Sequence, residues 1–227
     1  RRQRQMCIRD RRNGTQQKAD KNKITMRLIK LLQDVQEFRR SQNKFKQVHL
    51  DVDISEIAHE TIKKMTDGIT TSELDILAAE TCANNISDPD YAVFGGNILV
   101  SNLEKNNKDC IYNFAKYAQK AWDNYDFEKK VNVPLIDEKF YKLSQKYGHI
   151  IDKKIKLERN YFFRYFGLLT LIKGQYLLAS KEWVTENNQR IIKKVPCETP
   201  QHMFMRVAIG INGHDEKTGF KDAFEKS

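Results

Sequence analysis

Apolar residues recur at spacings of three and four along the first half of the chain. From Lys23 onward Ile24, Leu28, Leu31, Leu32, Val35 and Phe38 form one stripe, which is the period of an amphipathic helix. "FRRSQNKFKQ" dissolves that period and "VHLDV" offers a short strand. "DISEIAHETIKKMTDG" then returns to a helical stripe of Ile54, Ile57, Ala58, Ile62 and Met65, stopped by Gly68. Thr70 with Glu73 three positions on forms a capping box, so a third helix starts there and turns Leu74, Leu77, Ala78 and Thr81 inward. Ser87 and Pro89 suit the cap and first turn of a fourth, whose stripe is Tyr91, Phe94, Ile98 and Leu103. The pattern predicts four helices over residues 23–105, with "RRNGTQQKADKNK" before them as a hairpin turning at Asn13-Gly14.

Further on, "IYNFAKYAQKAW" continues in helix, and "NVPLID" is extended because Pro134 restricts the residue before it. The composition turns aromatic in "NYFFRYFGLLTLIKGQYLLA", which puts a change of domain near residue 130. "ETPQHMFMRVAIGI" is an apolar stretch begun by proline, and "NGHDEKTGFKDAFEKS" starts another helix. A chain of 227 residues can bury a core, as one ordinary domain or two small ones, and no run approaches a membrane span, so a soluble protein is expected.

Charge changes this picture only at the amino terminus. Residues 1–50 hold 15 Lys plus Arg against 4 Asp plus Glu, and the remainder 25 against 26. Such an excess suits nucleic acid or nucleotide phosphates without choosing between them. "RRQRQMCIRDR" has no helical or strand period, and residues 1–10 read as a non-native leader. Cys7, Cys82, Cys110 and Cys197 lie far apart with no C-x-x-C pair, which fits reduced thiols rather than a zinc site. His149, His202 and His214 lack a second ligand one helical turn away, so no metal site is expected. Tyr161, Phe162, Phe163, Tyr165 and Phe166 read as packing, and Lys153, Lys154, Lys156 and Arg159 as a solvated face.

The chemistry concentrates in "TTSELDILAAET", residues 70–81. A helix start presents unpaired N–H groups and partial positive charge, which suits a phosphate. Thr71 adds a hydroxyl there, and Asp75, which would repel phosphate, suits hydrogen bonds from a ribose or a base. Capping by Thr70 and Thr71 and a dipole-favoured acid at Asp75 explain the same residues without a ligand.

Three stretches carry a family resemblance: "RRNGTQQKADKNKI", "GITTSELDILAAET" and "DPDYAVFGGNILVSNLEK" together resemble the ATP cone that precedes class I ribonucleotide reductase large subunits. "YFGLLTL", "YLL" and "ETPQHMFMRVAIGI" resemble the helical segment that follows the cone in those subunits. The resemblance implies a mainly α chain: a leader at 1–10, a four-helix cone with a small β-hairpin cap at 11–107, and a connecting helix and linker at 108–138. Residues 139–227 would begin an all-α domain, cut off before the catalytic α/β barrel. It also implies that ATP or dATP binds as an effector, at positions falling on Arg11, Arg12, Gln17, Lys18, Ala19, Asp20, Lys21, Asn22, Lys23, Thr71, Asp75 and Lys105. The whole subunit, by the same resemblance, is a cytoplasmic, oligomeric enzyme that reduces ribonucleoside diphosphates with a radical-generating small subunit. None of the four cysteines matches a catalytic context, so no catalytic residue is assigned.

Asn13, Gln17, Lys21 and Asn22 depart from the family pattern, each removing a carboxylate or an apolar contact. They support a second reading, a degenerate cone kept as a structural or interaction module. A third, a nucleotide-sensing transcription repressor, would need a zinc ribbon of closely paired cysteines that this sequence lacks.

Overall fold

A computed structural model describes residues 8–10, 16–18, 20–42, 48–66, 68–85, 88–186 and 189–212, with the two strands at 8–10 and 16–18 described by their backbone. The described residues are mainly helical and divide into two compact units. The first comprises the chain up to Asn102 together with Tyr161–Leu168 and Val184–Ile191, and the second Leu103–Asn160, Leu169–Trp183 and Ile192 onward.

In the first unit, strands β1 (Ile8–Asp10) and β2 (Gln16–Lys18) pair antiparallel, and β3 (Ile69–Thr70) runs parallel to β1 on its other side. β1 falls inside the stretch set apart as a leader, which the missing side-chain period had kept out of the fold. Pairing uses backbone groups, and three residues are too few to show a period. The tip of the hairpin, Asn13-Gly14, lies outside the described residues.

Helices α1 (Lys21–Ser41), α2 (Ile54–Lys64), α3 (Thr71–Ala83) and α4 (Pro89–Asn106) follow. Ile24, Leu28, Leu31 and Val35 of α1 are buried with Ile54, Ile57 and Ala58 of α2, Leu74 and Ala78 of α3, and Phe94 and Ile98 of α4. Each large apolar side chain withdrawn from water contributes roughly 1.5–3 kcal/mol. Asp53 caps α2 by accepting from the Glu56 N–H at 3.0 Å, Pro89 opens α4 as its position predicts while Ser87 lies outside the described residues, and Gly68 takes a left-handed φ of 78° before β3.

"VHLDV" is not a strand. Two of its backbone groups are taken by side chains instead, Gln36 donating to the Leu50 carbonyl at 3.3 Å and the Asp51 N–H donating to Asp90 at 3.0 Å, and just after it the Asp53 N–H donates to the Tyr91 hydroxyl at 3.0 Å. Backbone satisfied this way needs no sheet partner.

Gly96 of α4 meets the segment at 163–165 so closely that an added Cβ would stand 2.4 Å from the Phe163 carbonyl oxygen and 2.8 Å from the Tyr165 nitrogen. Beside it Asn97 donates to the Tyr161 carbonyl at 2.9 Å. We expect Gly96→Ala to cost roughly 1–3 kcal/mol in urea unfolding, because the clash is with backbone that cannot swing away. Gly167→Ala is the control. Its Cβ would find only the Phe163 ring at 3.8 Å, and it should be neutral or gain up to about 1 kcal/mol of helix propensity.

In the second unit the chain turns through residues 107–113 rather than continuing in helix, since Asn113 caps a new helix, α5 (Phe114–Trp122), by accepting from the Lys116 N–H at 2.8 Å. Short strands β4 (Tyr125–Asp126) and β5 (Val131–Asn132) pair antiparallel, so only Asn132 of "NVPLID" is strand. α6 (Glu138–Asp152) packs along α5, with Phe114, Tyr117, Phe140 and Ile151 sharing a core with Met205 and Ile209. Asp152 accepts from the Phe114 N–H at 2.7 Å, and burial raises its carboxyl above the usual range against that bond. The remaining elements are a 3-10 turn (Leu157–Phe162), α7 (Tyr165–Lys173), the paired strands β6 (Ala179–Glu186) and β7 (Gln189–Pro196), and α8 (Pro200–Asn212). The β6–β7 pair sits where the sequence pattern shows no alternation.

Candidate functional site

The start of α3 is built by its own cap. Thr70 accepts from the Glu73 N–H at 3.1 Å while Glu73 accepts from the Thr70 N–H at 2.9 Å, which is the reciprocal arrangement the sequence predicts. Because the cap draws on Thr70 and Glu73, Thr71 is left as the first helical residue, half-buried and outside that exchange. Ser72 donates its hydroxyl to Asn102 at 3.0 Å, tying this first turn to α4. β3 leads directly into the cap, and Asp10 of β1 is in register with Thr70, so the hairpin strands lie beside the helix start. Gln17 and Lys18 stand on β2, one strand further out.

The start of α1 is unlike that of α3. Asp20 caps it by accepting from the Asn22 N–H at 2.9 Å. Its first turn holds no acid and exposes Lys21, Asn22 and Lys23. Two cations at a helix amino terminus oppose the helix dipole, by about 0.3–1 kcal/mol each, and an anion bound there reverses the sign of that interaction.

Asp75 is 2% exposed, in the second turn of α3, and its carboxylate forms an ion pair with the guanidinium of Arg27. Arg27 lies one helical turn beyond Lys23 on α1, on the same face. The pair joins the two helices and sets the buried acid beside the cationic end of α1. Arg27 escaped the sequence reading, although the i, i+4 spacing from Lys23 was visible; what was missing was its partner, 48 positions away.

Of the residues singled out in the sequence, Asp20, Lys21, Asn22, Lys23, Thr71 and Asp75 fall at these two helix starts. Lys105 lies half-buried in the last turn of α4 and belongs to the second unit. Arg11, Arg12 and Ala19 lie outside the described residues.

Residues 10–106 match the family model of the ATP cone domain. Over those residues the chain is similar to an ATP cone. Over 205 residues the chain is 35% identical to the ribonucleoside-diphosphate reductase large chain of Schizosaccharomyces pombe, covering 90% of this chain and 22% of that protein. It is 30% identical to the large subunit of Dictyostelium discoideum and 32% identical to that of Vaccinia virus, again over 90% of this chain. The chain spans about a fifth of the length of these curated relatives.

Other groups are disposed as packing. Tyr161 and Phe162 lie against Phe38 of α1, with ring centroids 6.4 and 5.7 Å apart. Lys153, Lys154, Lys156 and Arg159 are exposed. Cys82, Cys110 and Cys197 are buried and free, and burial pushes the Cys82 and Cys197 thiols up to about 12, far from the thiolate that nucleophilic chemistry needs. Among the described residues no cluster of three or more His, Cys, Asp or Glu stands ready for a metal, and no helix is long and apolar enough to cross a membrane.

Proposed function

We propose that the chain is the amino-terminal regulatory part of a ribonucleoside-diphosphate reductase large subunit, and that its cone binds ATP or dATP as an effector of overall activity. The observation that carries this reading is the ATP cone over residues 10–106, followed by similarity to reductase large chains across 205 residues in all. In this reading α1–α4 with the hairpin form the cone at 11–107, and 108–138 connect it to a mainly helical stretch at 139–227, which the β6–β7 pair keeps from being all-α as the sequence reading expected. In the longer subunit that stretch precedes the barrel where ribonucleoside diphosphates are reduced. The partners are a radical-supplying small subunit and further copies of the large one, in the cytoplasm.

The phosphates belong at the first turn of α1, where Lys21 and Lys23 otherwise oppose the helix dipole. The sugar belongs at Thr71 and Asp75, since a hydroxyl can donate to a carboxylate that repels phosphate. Arg11, Arg12, Gln17, Lys18, Ala19 and Lys105 enter through the family resemblance. Calorimetric titration of the 227-residue chain should give dissociation constants of roughly micromolar order for ATP and dATP. Lys23→Ala, at an exposed position, should abolish that binding without lowering the melting temperature. No heat and no thermal shift with either nucleotide would remove the regulatory reading. It would select instead the degenerate cone that Lys21 and Gln17 favour.

A further inference from the structure

Helix α8 is apolar on both of its sides. His202, Met203, Met205 and Ile209 are buried, while Phe204, Val207 and Ile211 on the other side are 51%, 45% and 69% exposed. Ala208 stands among these three half-buried, and a Cβ added at Gly210 would meet nothing within 4 Å. The helix carries one formal charge, Arg206, which is paired with the buried Glu198. A helix that is apolar all round is normally covered all round. Single exposed apolar residues are ordinary, whereas a contiguous stripe marks an interaction surface.

The chemistry of the stripe narrows what can cover it. Without charge it offers nothing to a phosphate or a nucleic acid, and with no basic residue in its last turn α8 lacks the cations that hold a helix on a lipid surface. Phe204, Val207, Ala208 and Ile211 follow at i, i+3, i+4 and i+7, so the bulky side chains stand at the two ends and the smaller ones in the middle. That order is the same in either direction. A two-fold axis between Val207 and Ala208 therefore lays the stripe on a copy of itself, Phe204 against Ile211 and Val207 against Ala208 of the second chain. The small central pair lets the helix axes approach to about 8 Å, the near end of the usual range. We propose that the outer face of α8 is the surface on which a second copy of this chain docks, its own α8 running antiparallel. The contact is made by α8 alone and is independent of nucleotide binding. Four side chains per copy cover less than the about 800 Å² of a standard interface, so the dimer is weak.

Sedimentation velocity of the 227-residue chain between about 5 and 500 μM should show monomer giving way to dimer, with a dissociation constant of about 100 μM. Phe204→Glu and Ile211→Lys, both at exposed positions, should each weaken that association at least about tenfold and leave the circular dichroism spectrum unchanged. Mixing the two variants in equal amounts should bring it back to within about threefold of the unsubstituted chain. In the mixture one end of the stripe sets the new carboxylate against the new ammonium, and the other end keeps Phe204 against Ile211. In either variant alone both ends are spoiled. Misfolding and general stickiness are not repaired by mixing. If either variant does not fold, Val207→Glu, in the middle of the stripe, decides by abolishing the dimer. A chain that stays monomeric up to about 500 μM overturns the proposal and assigns the face to a different protein. Association that survives the substitutions, or that mixing does not restore, overturns it equally.

Discussion

Replacing Glu198 by alanine is expected to cost about 3–5 kcal/mol of stability, the usual loss when one partner of a buried charge pair is removed. Glu198 is 1% exposed and its two oxygens are fully engaged. One accepts from the Tyr117 hydroxyl at 2.5 Å and from Arg206 Nε at 3.1 Å; the other accepts from the Leu178 N–H and from Arg206 Nη2, both at 2.7 Å. Arg206 reaches onward to the Tyr176 carbonyl at 3.1 Å. One side chain thus gathers α5, the segment before β6 and α8. Burial, then the charge of Glu198, pushes the Tyr117 phenol well above its ordinary range, which keeps it a donor at any working pH.

Without the carboxylate, the Tyr117 hydroxyl is left buried and unmatched and Arg206 keeps only the Tyr176 carbonyl, so the penalty is theirs as much as a lost bond. Urea unfolding followed by circular dichroism measures it. At this chain length the melting temperature should fall by roughly 10 °C. The triple change Glu198→Leu, Arg206→Met and Tyr117→Phe should be milder than the single one, because it strands no partner. A loss below about 1 kcal/mol for Glu198→Ala would mean that water reaches the site, and the account would fail.

The second large effect is one of acid. His202 is 2% exposed, its ring parallel to Phe114 at 6.0 Å and tilted against Tyr117 at 4.9 Å, with Nδ1 paired to the Thr199 hydroxyl at 2.8 Å. Burial among these rings lowers its pKa from 6.5 to about 4, a fall that the backbone at Ile111 partly opposes. The unfolded chain therefore takes up a proton near pH 6.5 that the folded chain refuses until about pH 4. Stability from this group is complete above pH 6.5 and drains away as pH falls toward 4, about 3 kcal/mol in all. Most carboxylates stay charged down to about pH 5, so the upper part of that window isolates the histidine. His202→Phe should flatten the stability curve between pH 6.5 and 5 whatever its effect on stability at pH 7. Curves that run parallel for the two proteins would refute the assignment.

Much of the α1–α4 region was legible because its signals are local. The α1 stripe, the Thr70–Glu73 box and Pro89 each need only a turn or two of chain, and each appears where the pattern put it. "VHLDV" misled because alternation over five residues says nothing about whether a neighbouring strand exists; here Gln36, Asp90 and Tyr91 claimed the backbone first. β1, β6 and β7 were missed for the converse reason, since their pairing is made by backbone groups and leaves little trace in side-chain order.

At the candidate site the sequence alone established the kinds of group available, a cationic helix start and a threonine and aspartate one turn apart, since spacing along a helix follows from its 3.6-residue turn. Tertiary structure decided that Asp75 is buried and that Arg27 neutralises it. Burial and ion pairing depend on which helices lie side by side, and the 48 positions that separate those two charges hold no local rule that matches one to the other.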